Sequence, residues 1–171
     1  MFSGSAVTSV PIVAGLRDVW AAGILNLSGN RVLDVLNDAS SGYLKLNEVN
    51  VSLDRIDKAA SPLPQATIVK SQMLWVAILS DKHESPEKRF HSFVARQSES
   101  ITVVVPGSVI RGTTQVTAAK DPVLFMSRGG AGFFPVTNAR LESSSHKPLE
   151  APVIFVNYKA VQILHLTTDP H

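Results

Sequence analysis

The chain has 171 residues, enough to bury a core as one domain or as two small ones. A composition that is 44 % hydrophobic and 18 % charged excludes a disordered chain, and a net charge of +2 excludes a strong electrostatic pull toward nucleic acid or anionic membrane. With no cysteine, disulfides, Cys-ligated zinc, iron–sulfur clusters and thiol catalysis are excluded as well.

Only 6 % of residues are aromatic, and Val, Ile and Leu carry the hydrophobic load, which favours strands. Residues 1–9 read as a loose lead-in without the basic region and apolar core of a secretory signal. Val10 to Leu27 is apolar but broken by Arg17-Asp18 and so is not a membrane span, and a cytoplasmic protein without membrane contact is expected. The same window predicts two short strands or one bent strand. Ser28-Gly29 ends it and Asn30 is the expected N-cap of a short helix with Val32, Val35 and Leu36 on one face. Tyr43 to Leu53 alternates as Leu44/Leu46 and then Val49/Val51/Leu53, with a phase slip that predicts a bulge at Asn47-Glu48. Asp54 to Gln65, with Pro62 and Pro64, reads as a loop. Thr67 to Val69, Lys70-Ser71-Gln72 and Met73 to Leu79 read as strand, polar turn and strand. The last is apolar at nearly every position, so it should be covered on both faces by the other half or by another subunit.

Ser80 to Glu99 is rich in charge, and residues 81–99 form the expected connector between a first β repeat (1–80) and a second (100–171). Phe90, Phe93 and Val94 should dock part of it on the core. The order then restarts: strand Ile101 to Val105, turn Pro106-Gly107, strand Val109 to Thr117. Asp121-Pro122 opens a second helix, with Asp as N-cap and Pro where it loses no hydrogen bond. The glycines of Arg128 to Gly132 should end it at positive φ. Phe133 to Leu141 follows as a strand with a phase change near Thr137-Asn138. Glu142 to Ala151 reads as a loop, and Val153 to Leu166 repeats strand, polar turn and strand.

The identities Val32/Val123, Leu33/Leu124, Gly42/Gly132, Val69/Val156 and Leu79/Leu166 accompany this order at a spacing of roughly 87 to 91 residues, which points to internal duplication. The expected fold is mainly β: two tandem copies of a small bent antiparallel barrel or sandwich, each with one short helix. They are expected to pack through their apolar last strands and to be pseudo-two-fold related.

Arg31-Val32-Leu33-Asp34-Val35-Leu36-Asn37, followed by a Gly-aromatic-Leu-x-Leu strand and a strand pair joined by a polar turn, resembles an uncharacterised family of small bacterial β domains. Those domains carry an R-[LV]-x-D-x-L-N element. The resemblance covers nearly all of residues 10–79. Asp121-Pro122-Val123-Leu124-Phe125 has neither its Arg nor its Asp. More distantly, the strand pairs around Lys70-Ser71-Gln72 and Asn157-Tyr158-Lys159 resemble the C-terminal strand pair of Sm-like small barrels, without their RNA-binding glycine and arginine pattern. The resemblance implies an architecture and no activity.

No residue pattern points to catalysis. His83, His91, His146, His165 and His171 lack metal-ligand spacing. Asp34 and Asp38 read as a solvated helix face, with Arg31 as a partner for Asp34, and Ser108 lacks a positioned base. Arg128-Gly129-Gly130-Ala131-Gly132 follows a helix rather than opening one, so it is not a phosphate cradle. No catalytic residue, metal or cofactor is therefore assigned. The candidate interaction residues are Lys70, Ser71, Gln72, Asn157, Tyr158, Lys159, Phe133 and Phe134. The expected function is a non-catalytic protein-interaction or scaffolding module that works as an oligomer or assembly subunit. The alternative is binding of RNA or single-stranded nucleic acid through the two turns.

Overall fold

A computed structural model describes residues 6–53, 62–80, 97–116, 121–129 and 132–167. In chain order its strands are β1 (Val7–Gly15), β2 (Val19–Ser28), β3 (Tyr43–Leu53), β4 (Leu63–Val69) and β5 (Trp75–Ile78), then β6 (Gln97–Val105), β7 (Ser108–Val116), β8 (Phe133–Ser143), β9 (Leu149–Asn157) and β10 (Ile163–Thr167). Two short helices, α1 (Val32–Asn37) and α2 (Pro122–Arg128), follow β2 and β7, and single 3₁₀ turns, Lys70–Gln72 and Tyr158–Ala160, precede β5 and β10. The fold is mainly β. All ten strands form one antiparallel sheet in the order β10-β6-β7-β8-β9-β5-β1-β2-β3-β4.

The sheet is open, with β4 and β10 at its edges, which corrects the expected pair of small barrels or sandwiches: β5 and β9 pair with each other across the two sets, so neither set closes on itself. Its N-terminal set runs β5-β1-β2-β3-β4 and its C-terminal set β10-β6-β7-β8-β9, the same order. The expected packing through the two last strands is overturned, because the seam pairs β5 with β9 and leaves β10 outside. The reason lies in the side chains: Val153 to Val156 of β9 are buried on both faces, whereas β10 alternates exposed and half-buried positions. A two-fold axis would pair like strands; this seam joins unlike ones.

Local details agree between the sets. The β2–β3 ladder shifts register between Ala22 and Ile24, and the β7–β8 ladder between Arg111 and Thr113. Glu48 (φ 51°) and Asn138 (φ 47°) turn the opposing strands at these bulges, where the phase slips predicted them. Close approach explains the glycines facing them. A Cβ on Gly112 would lie 2.5 Å from the Thr137 carbonyl oxygen, and one on Gly23 would lie 3.0 Å from that of Asn47. Each 3₁₀ turn is held in the same way: Lys70 N–H donates to Gly42 O (2.9 Å) and Tyr158 N–H to Gly132 O (3.1 Å). Beyond the turns, Leu74 N–H donates to Gly15 O and Gln162 N–H to Val104 O, both at 2.8 Å.

Several boundaries differ from expectation. Arg31, not Asn30, is the N-cap of α1. The Asp34 carboxylate accepts from its backbone N–H (3.2 Å) and from its guanidinium (3.0 and 3.1 Å), so the cap is built from the third helical position. Asp121 does cap α2, accepting from Val123 N–H at 2.8 Å. Gly129 has φ −77°, so it ends α2 without positive φ; its bare backbone lies against the Tyr158 ring. Pro64 and Gln65 lie in β4 rather than in a loop, which an edge strand tolerates because it has one unpaired side. Strands β8 and β9 run further than expected, leaving 144–148 as the loop. β6 begins at Gln97, inside the expected connector, whose residues 81–96 lie outside the described residues, as do 1–5, 54–61, 117–120, 130–131 and 168–171.

Two apolar cores meet at the seam from opposite faces. Val76 and Ile78 of β5 and Val153 and Phe155 of β9 enter the core of the N-terminal set, beside Ile12, Leu44 and Leu46. Trp75 and Ala77, with Ile154 and Val156, enter the core of the C-terminal set, beside Val103, Ile110 and Leu141. Each set therefore donates side chains to the core of the other.

Candidate interaction surface

All four residues of β5 are buried, with β1 on one side and β9 on the other. Across the seam Trp75 faces Val156, Val76 faces Phe155, Ala77 faces Ile154 and Ile78 faces Val153. Two asparagines clamp its end. Asn37, the last residue of α1, donates from Nδ2 to Phe133 O (3.2 Å) and accepts Phe133 N–H at Oδ1 (2.7 Å), pairing with the backbone as a strand would. Asn157 is buried; its Nδ2 donates to Met73 O (2.9 Å), its Oδ1 accepts Lys159 N–H (3.0 Å), and its own N–H donates to Leu74 O (3.0 Å). Replacing Asn157 with alanine strands a buried carbonyl and an amide. We expect a loss of about 1–3 kcal/mol of unfolding free energy by urea denaturation, and a loss no larger than that of an exposed polar-to-alanine change would refute the clamp. On the other side of the seam, the His146 ring stacks on Trp20 at 4.0 Å, with Ser52 Oγ 3.2 Å from Nε2 and Ser145 Oγ 2.9 Å from Nδ1.

The two polar turns meet at this seam. A cleft of about 690 Å³ is lined by Tyr43, Lys70, Ser71, Phe133, Asn157 and Lys159. A neighbouring one of about 310 Å³ shares Ser71, Asn157 and Lys159 and adds Arg17 and Gln72. Six of the eight candidate interaction residues thus line these two clefts, but they do different work. The Lys70 ammonium turns inward and donates to Val35 O (2.6 Å) and Asp38 O (3.1 Å), closing the C-terminal end of α1. Burial pulls its pKa below the ordinary lysine value, with the Asp38 carboxylate opposing. The Asp38 carboxyl is held below its own usual value by the Ser40 hydroxyl and amide. Tyr158 is half-buried against Phe134 (ring centroids 4.5 Å) and Phe125 (5.7 Å), and burial raises its phenol pKa. Phe133 and Phe134 are buried. Only Ser71, Gln72 and Lys159 remain exposed for contact.

Other candidates are absorbed by the fold. Asp34 pairs with Arg31, Ser108 is buried in β7, and His165 stands exposed on β10. Glu142 bridges Arg111 and Arg140, and Arg140 reaches Glu150, an exposed ladder over β7, β8 and β9; the Arg111 guanidinium holds the Glu142 carboxyl below its usual value. Among the described residues no three metal-ligating side chains cluster, and no helix is long and apolar enough to cross a membrane. His83, His91 and His171 lie outside the described residues.

What sequence reasoning did not place is which strands form the two edges. Tyr43 (61 % exposed), Leu63 and Val69 crowd the β3–β4 edge, while Ile163 (62 %) stands on β10 with Val123 on α2, which packs beside it. A signal was present: neither Leu63–Val69 nor Ile163–Thr167 contains a Lys, Arg, Asp or Glu, the charged side chains that commonly blunt an edge strand, and only Pro64 interrupts the donors of either. In comparison with known proteins, no family model, no curated protein and no solved structure matches the chain.

Proposed function

We propose that the chain is a tandem duplicate of one five-stranded unit and serves as a non-catalytic scaffold of the cytoplasm, binding protein through its two unpaired strand edges. One observation carries the reading. When the two sets are aligned on their 3₁₀ turns and bulges, the apolar side chains exposed at the edges fall on positions that are buried at the seam. Tyr43 matches Phe133, Leu63 matches Ala151, Val69 matches Asn157 and Ile163 matches Trp75. Shared strand order and shared bulges support the duplication. The resemblance to small bacterial β domains and Sm-like barrels belongs to the same proposal, as a likeness of architecture. An uncharged edge is a template for another strand, and two edges on one chain let a bivalent partner gain avidity.

A second reading, binding of single-stranded nucleic acid, draws on the meeting of the two turns at one cleft with exposed Lys159 and Arg17 beside it. Against it, the Lys70 ammonium is spent on two carbonyls. A titration with a single-stranded RNA oligonucleotide at low and moderate salt separates them, using Lys70→Ala and Lys159→Ala alongside. The scaffold reading expects no micromolar binding. Binding that falls steeply as salt rises and disappears in Lys159→Ala would hand the cleft to nucleic acid.

A further inference from the structure

We infer that copies of this chain join head to tail, β10 of one copy pairing antiparallel with β4 of the next in the register that β5 and β9 keep inside the chain. The inference rests on the scaffold reading and names its partner, a second copy.

The register follows from the seam. Pairing of β9 with β5 begins at Val153, immediately after Pro152, and runs to Val156. Proline has no N–H to donate, so it marks where the ladder starts. β4 carries Pro64 at the matching place, followed by Gln65 to Ile68. β10 supplies Ile163 to Leu166 in the place of Trp75 to Ile78. The intermolecular pairs are then Ile163 with Ile68, Leu164 with Thr67, His165 with Ala66 and Leu166 with Gln65. None of these eight residues carries a formal charge, so no like-charge pair opposes the approach.

The exposed apolar side chains point to the same occupant. Ile163 stands where Trp75 fills the neighbouring core, and Tyr43 where Phe133 is covered by α1. Val123, 75 % exposed, stands where Leu33 packs against the N-terminal core. At each joint Tyr43 of one copy and Ile163 and Val123 of the next are covered together. Because the two mating edges differ, each added chain presents a fresh β4 at one end and a fresh β10 at the other. The interface is heterologous and closes into a ring or extends as a filament according to its rotation per chain.

The joint between chains also differs from the seam. At the position of the Asn157 clamp stands Val69, and at that of Asn37 stands Ser127, whose hydroxyl donates to Leu124 O within α2. The intermolecular joint is therefore apolar pairing without side-chain clamps, so it should be reversible on dilution and tolerant of salt.

Light scattering or native mass spectrometry of the intact chain over a concentration series tests this, with Ile163→Asp and Val69→Asp as edge-blocking variants. Both residues are exposed, so circular dichroism and thermal melting should stay native. Should either variant misfold, His165→Lys and Thr67→Lys, also at exposed positions, replace them. We expect wild type to form species of three or more chains and each variant to be monomeric. An equimolar mixture should form a one-to-one heterodimer, because Ile163→Asp retains a working β4 and Val69→Asp a working β10. A mixture that stays monomeric overturns the inference, as does a dimer that survives in either variant alone, which would pair like edges. A wild type that is monomeric at every concentration overturns it too. That last result leaves the scaffold reading with a different protein partner, whereas salt-sensitive oligonucleotide binding would sink the scaffold reading itself.

Discussion

Replacing Trp75 with alanine should remove about 3–5 kcal/mol of unfolding free energy, a large share of the roughly 5–15 kcal/mol by which domains of this kind are stable. The indole is 1 % exposed, stands edge-on to Trp20 at 5.0 Å and covers the bare backbone of Gly15. It belongs to a strand of the N-terminal set yet fills the core of the C-terminal set, so the cavity would open under both β1 and β9. Urea denaturation should show a lower midpoint with an unchanged slope. Because Gly15 and Trp75 share one space, Gly15→Ala alone should also destabilise, and the double variant should lose less than the sum of the two. Full additivity, or a Trp75→Ala loss below about 1 kcal/mol, would mean that the indole does not fill this site.

The second large effect is expected at Gly112. An alanine Cβ there would meet the Thr137 carbonyl oxygen at 2.5 Å and Val136 Cγ1 at 2.7 Å. The first obstacle is backbone in a paired strand, which cannot swing aside as a side-chain tip does. Overpacking of about 3 kcal/mol follows, the upper end of the usual range, and a fall in melting temperature of about 6–12 °C for a chain of this length. Gly23→Ala, with its nearest atom at 3.0 Å, should cost clearly less. Equal melting temperatures for the two variants would show that the β7–β8 bulge is more pliant than its geometry implies.

Strand periodicity made most of the elements legible. Alternation gave β3 and β8 and located their bulges, because a phase slip in a two-residue pattern has few other causes. Asp121-Pro122 gave the start of α2 through proline's own geometry. The order of strands across the seam was not legible, since β9 and β10 are both apolar and differ only in which residues neighbours cover. Aligned on their bulges and 3₁₀ turns, the two sets bring Leu33 opposite Val123 and Ile68 opposite Val156, one position away from the literal identities, and Pro64, in a stretch read as a loop, opposite Pro152. The polar turns misled in another way. Lys70 and Asn157 looked like surface residues, and nothing local announces that their heads meet carbonyls from α1 and from the chain just before β5.

The pairing of β5 with β9 also has a consequence for synthesis. As the chain leaves the ribosome, Trp75 to Ile78 appear early, with β1 as their one available neighbour, while the strand that covers their other side is still several strands away. Until β9 emerges, a nascent N-terminal set carries an apolar run with an open flank, and its core lacks Val153 and Phe155. Delayed long-range pairing of this kind slows folding and lengthens the window in which nascent chains stick to one another. The same four residues that hold the finished sheet together are thus its main hazard while it is half made.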